Sequence, residues 1–161
     1  MTHAVVLLLA LLIGVVAGLR AFTAPAVMSW AAFLKWINLN GTWASWMGHP
    51  VTVAILSVLA LIELVTDQLP KTPSRRTPPQ FITRLLTGGF AGAVLGTAWG
   101  WGYTWGGLVA GVVGAVLGTL GGYQARKRLA AAVGRDLPIA LLEDVVAVGG
   151  GFLIAYLTSV V

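Results

Sequence analysis

Of the chain's 161 residues, 58% are hydrophobic and only 9% charged, where soluble domains carry about 25% charged residues, so the sequence reads as an integral membrane protein. A membrane β-barrel is excluded, because its strands alternate polar and apolar residues in stretches of about ten, whereas "AVVLLLALLIGVV" and "VTVAILSVLALI" are continuously apolar. No cysteine is present, which removes disulfides and thiolate metal sites, and the net charge of +5 is that of short cytoplasmic connections collecting Lys and Arg rather than of a nucleic-acid binder.

The expected architecture is an all-α membrane bundle forming a single embedded domain, residues 1–161. Its five spans are residues 4–23, 51–69, 83–100, 105–122 and 137–158, each about the length a helix needs to cross a bilayer. The first has no Lys or Arg ahead of its apolar run, so it reads as a retained span and not as a signal peptide. Residues 24–36 are apolar but broken by Pro25 and followed by more indoles, with Trp30, Trp36, Trp43 and Trp46 in the stretch. Because indoles favour the headgroup level, this segment is expected to lie along the interface, with Pro25 in its first turn; a further span is the competing reading.

Two connections are basic: Lys71, Arg75, Arg76 and Arg84 at one, Arg126, Lys127, Arg128 and Arg135 at the other, with Asp136 alone opposing. The positive-inside rule places both in the cytoplasm. Residues 37–50 and the aromatic stretch Trp99 to Trp105 then fall outside, the N-terminus inside and the C-terminus outside. The proline-rich "LPKTPSRRTPPQ" cannot continue either flanking helix; its positive charge serves topology or holds a lipid phosphate.

Glycines recur every four residues at Gly88, Gly92, Gly96 and Gly100, and again at Gly114, Gly118 and Gly122. Such faces let helices approach closely in lipid. "GAVLGT" stands in both spans, at Gly92–Thr97 and Gly114–Thr119, which suits an antiparallel hairpin. A weak internal match pairs Gly14, Gly18 and Ala21 with Gly118, Gly122 and Ala125, and "ALIE" (60–63) with "ALLE" (140–143). That match suggests an inverted repeat relating the first two spans to the last two, as in secondary transporters.

Charges within spans are costly and face protein or water-filled cavities. Here they are Glu63, Asp67, Glu143 and Asp144, with Arg20 and Arg84 near helix ends. Glu63 and Asp67, four apart, share a helix face, and the two acidic helices are expected to bring Glu63 close to Glu143. The four acids are candidates for binding an ion or proton, since two adjacent carboxylates do not both stay ionised without compensation. Their candidate charge partners are Arg20, Arg84 and Arg126, for instance in Glu63–Arg84 and Glu143–Arg126 pairs that would make the cluster structural. Arg20 is expected to snorkel to the interface or to cap a helix C-terminus. His3 and His49 are expected on opposite faces of the membrane. No catalytic triad, phosphate loop, HExxH or dinucleotide fingerprint is present, so no catalytic residue, metal site or cofactor is expected.

The stretches "GLRAFTAPAVMSWAA", "ELVTDQLPKTPSR" and "ALLEDVVAVGGG" resemble a family of small bacterial inner-membrane proteins known as a domain of unknown function. The middle stretch matches in Glu63, Asp67 and Pro70; where the family pattern often has Lys, this sequence has Gln68. The resemblance implies a bacterial inner-membrane location and no particular substrate. The leading expectation is a homo-oligomeric transporter or channel for a small solute, cation or proton, partnered by the lipid bilayer and by no nucleic acid. A scaffold with ion-paired acids, and an enzyme acting on lipid phosphate headgroups, are the alternatives.

Overall fold

The computed structural model describes residues 2–69, 74 and 76–161. Pro70, Lys71 and Arg75, which the sequence places in the proline-rich connection, lie outside the described residues. Six α-helices follow in order: α1 (His3–Leu19), α2 (Thr23–Phe33), α3 (Pro50–Thr66), α4 (Pro78–Trp99), α5 (Trp101–Val133) and α6 (Leu137–Val160), with a short 3₁₀ turn at Ser45–Gly48 before α3. Helices α4, α5 and α6 are long and apolar enough to cross a membrane, while α1 and α3 are shorter apolar helices. Proline stands in the first turn of α3, α4 and α6, where its missing N–H costs no hydrogen bond.

The centre of the bundle is α1, α4 and α5, joined through glycine. A Cβ placed on Gly14 would stand 2.8 Å from the Gly111 Cα, and one on Gly18 would stand 2.5 Å from the Thr119 nitrogen. Backbone therefore meets backbone along this seam, and the two residue numbers rise together, so α1 and α5 run parallel. Across the other seam Gly88 faces Gly111 and Ala115, Gly92 faces Gly107, and Gly96 faces Tyr103. Those numbers move oppositely, as in the antiparallel hairpin expected from the repeated "GAVLGT". It turns on Gly100 alone, whose φ of 130° suits only glycine. The parallel course of α1 and α5 is incompatible with an inverted repeat, which requires the paired copies to be antiparallel.

Three further expectations are corrected. Helix α2 does not lie along an interface: eight of its eleven residues are buried, and it packs between α3, α4 and α6, with Val27 against Gly151. Its eleven residues rise about 16 Å, half a hydrocarbon core. Such a half-helix is tolerated at membrane depth when protein surrounds it. Because α2 turns back through the bundle, α1 runs opposite to the expected direction. The His3 ring packs on Tyr103 with centroids 4.8 Å apart, so the start of α1 lies at the end where α4 meets α5, not at the basic end. Tyr156 near the C-terminus meets Trp36 at 5.6 Å, at that same end. Finally, α5 runs to Val133 because Gln124 to Ala132 are good helix formers without Gly or Pro; left-handed Gly134 (φ 77°) ends it.

Candidate functional site: a charge cluster at a helix break

Helix α1 stops at Leu19 because Arg20 adopts extended backbone angles (φ −142°, ψ 108°), and α2 starts three residues later. A break of this kind leaves carbonyls at the end of α1 and amides at the start of α2 without helical partners, and lipid supplies none. Side chains from α3, α4, α5 and α6 approach the cluster that satisfies them.

Glu63, on the last turn of α3, uses both carboxylate oxygens on the break. Oε1 accepts from the Ala21 amide at 2.6 Å and Oε2 from the Phe22 amide at 2.8 Å. Arg84, near the start of α4, donates to the Gly18 and Leu19 carbonyls at 2.8 and 2.7 Å, and Arg20 donates to Leu19 at 2.9 Å. An anion thus sits at the start of α2 and two cations at the end of α1, the placement the helix dipoles favour.

The remaining acids converge on Arg20, whose exposure is 0%. Its guanidinium lies 3.2 Å from Asp67, 3.6 Å from Glu143 and 2.6 Å from Asp144. Asp67 also meets Arg84 at 3.4 Å, and Glu63 lies 4.0 Å from the same guanidinium. Arg126, on α5, reaches Glu143 at 3.5 Å and holds Asp136 through two hydrogen bonds of 2.9 and 2.6 Å. Every candidate acid therefore faces an arginine. Arg20 stands between Asp67 on α3 and the two acids of α6, so the cluster is not organised around a Glu63–Glu143 contact. Arg20 does not snorkel, being fully enclosed, although it does cap the α1 carboxyl end.

Several members were not legible in the sequence. Gln68, two residues past the end of α3, donates to Asp144 of α6 at 2.6 Å. The amides of Ala21 and Phe22 could not be found before the break was known, and Asp136 looked like a loop charge until α5 continued far enough to hold Arg126 beside it. The buried Thr23 hydroxyl, on the first residue of α2, has no hydrogen-bond partner among the described residues. Beside the cluster, α5 and α6 diverge around an apolar crevice of about 170 Å3, walled by Leu19, Gly122, Leu129 and Leu142 and bordered by Arg126 and Glu143. Among the described residues no three His, Asp or Glu side chains are grouped as a metal site. His3 and His49 share the end of the bundle far from the cluster, not opposite faces: His3 packs on Tyr103 and His49 caps α3.

A family model described as "Domain of unknown function (DUF4126)" matches residues 7–160. No curated protein and no solved structure matches the chain.

Proposed function

Since the chain belongs to the family described as a domain of unknown function (DUF4126), a description that names no activity, we propose from the site that it is a small transporter or channel for a cation or proton. Glu63, Asp67, Glu143 and Asp144 take up the charge, and a homo-oligomer in a bacterial inner membrane is the working assembly. In this reading the basic connections are cytoplasmic, the cluster is at the cytoplasmic end, and the N-terminus, at the other end of the bundle, is outside.

One observation carries this reading: the Glu63 carboxylate holds both amides of the α1–α2 break. As an anion it accepts both hydrogen bonds; once protonated, one oxygen carries an O–H that needs an acceptor and is a weaker acceptor for its amide. Taking up a proton, or exchanging an arginine for another cation, therefore changes the contacts that fix the break. Discontinuous helices meeting ionisable groups inside the membrane are a recurring device of secondary transporters.

A second reading is favoured by the same distances. With Arg20, Arg84 and Arg126 each within 4.0 Å of at least one acid, the cluster also qualifies as a clamp that ties α1, α3, α4, α5 and α6 together. Flux in proteoliposomes separates the two. Proton or cation flux is expected in the parent and lost in Glu63→Gln and Glu143→Gln, measured at a temperature where all three remain folded. A parent without flux leaves the clamp.

A further inference from the structure

At the end of the bundle far from the charge cluster, the segment between α2 and α3 folds around a pocket of about 710 Å3, within the range of about 300–1,000 Å3 typical of small-molecule sites. Its polar lining consists largely of donors. Lys35 borders it, and its ammonium can only donate. Asn38 uses its side-chain oxygen on the Asn40 amide at 3.0 Å, which leaves its NH2 group for a ligand. His49 accepts the Val51 amide on Nδ1 at 3.2 Å, so the neutral ring carries its proton on Nε2 and offers that as a donor. Ser45 adds a hydroxyl, and Phe33 and Trp46 add apolar wall. His49 and Pro50 begin α3, so the partial positive charge of that helix start adds to the same field.

No carboxylate opposes these donors. The five acids of the chain are Glu63, Asp67, Asp136, Glu143 and Asp144. All five sit in or beside the cluster, and the stretch of α3 between His49 and Glu63 alone spans about 20 Å. Lys35 pairs with none of them among the described residues.

The backbone supplies an independent observation. Helix α2 ends with the Trp36 amide on the Ala31 carbonyl at 2.8 Å and the Lys35 amide on Ala32 at 3.2 Å, the paired closure in which a left-handed residue, usually glycine, follows the last turn. Here that residue is Lys35, with φ 61°, the only non-glycine at positive φ among the described residues. Glycine takes this conformation without strain and lysine does not. A strained residue whose side chain borders a ligand-sized pocket points to work done by that side chain.

We propose that this pocket binds a phosphate ester carried on an apolar body, with Lys35 as its charge partner, Asn38, Ser45 and His49 as hydrogen-bond donors, and Trp46 against the apolar part. Several converging donors suit a group with multiple acceptor oxygens. The proposal stands apart from the transport reading, since no residue of the charge cluster takes part. The phosphate is that of a soluble ester or of a phospholipid headgroup, and one experiment distinguishes them. The full chain in dodecyl maltoside, which contains no phosphate, is titrated calorimetrically with butyl phosphate and, separately, with dihexanoyl phosphatidylglycerol. Saturable heat is expected with at least one; butyl phosphate alone assigns a soluble ester, and the lipid alone, or bound more tightly, assigns a headgroup. Loss of one charge-assisted contact predicts binding about tenfold weaker or more in Lys35→Gln. Lys35→Gly should bind as weakly as Lys35→Gln while unfolding at the parent's temperature or above, because glycine relieves the backbone strain. No saturable heat with either probe, or parent-like affinity in both Lys35 variants, overturns the proposal.

Discussion

Replacing Glu63 tests whether its carboxylate fixes the helix break or is merely adjacent to it. In Glu63→Ala the Ala21 and Phe22 amides lose their acceptors. A buried donor left unsatisfied costs about 1–3 kcal/mol, and removing one partner of a buried ion pair costs about 3–5 kcal/mol. These losses share one group and do not add fully, so the expected total is about 4 kcal/mol. Glu63→Gln keeps one carbonyl acceptor but turns an NH2 toward the second amide, so it loses one hydrogen bond and the charge opposite Arg84, and about 2 kcal/mol is expected. For chains of 150–250 residues, each kcal/mol moves Tm by about 2–4 °C, which gives a drop of about 10 °C for Ala and about 5 °C for Gln. Tryptophan fluorescence during heating in mild detergent reads both. An Ala variant within about 2 °C of the parent, or a Gln variant falling as far as Ala, would refute the argument that the two oxygens each hold an amide.

Two other outcomes follow from the packing and the course of the chain. Gly111→Ala puts a Cβ 3.0 Å from the Gly88 carbonyl carbon and 3.1 Å from the Gly92 Cα, and overpacking of this kind costs about 1–3 kcal/mol. Gly121→Ala, on the same helix with nothing within 4 Å, should leave Tm unchanged or raise it slightly through helix propensity; equal effects of the two changes in thermal melts would contradict the α4–α5 seam. For topology, single cysteines at Thr2 and Asn40 should react with an impermeant maleimide from one face of the membrane and a cysteine at Ser74 from the other. Labelling of Thr2 together with Ser74 would overturn the parallel course of α1 and α5.

The sequence by itself determined that this is an all-helical protein with long apolar helices, since continuous apolar runs and sparse charge leave no other class. It also marked Glu63, Asp67, Glu143 and Asp144, though not Asp136, because a carboxylate in an apolar run is conspicuous at any depth. The starts of α3 at Pro50 and α6 at Leu137 fall at the expected bounds, whereas α4 begins at Pro78, five residues before the expected 83, because prolines in a first turn start a helix as readily as they end one.

The direction of α1, the placement of α2 and the centre of the charge cluster were decided by tertiary structure alone. The apolar stretch 24–36 carries no sign of whether lipid or protein will cover it, since Ala, Val and Met suit either neighbour; the packing of α3, α4 and α6 around it buries α2. Counting α2 as interfacial reversed α1, because each passage through the bundle inverts the side on which the next element begins. Arg20 likewise looks like a terminal snorkelling residue in sequence. It becomes the hub because the break turns it inward, where Asp67 from α3 and Glu143 and Asp144 from α6 arrive from residues up to 124 positions away. Charge pairing acts through space over a few ångströms, and local pattern cannot specify which distant helices the glycine seams will bring that close.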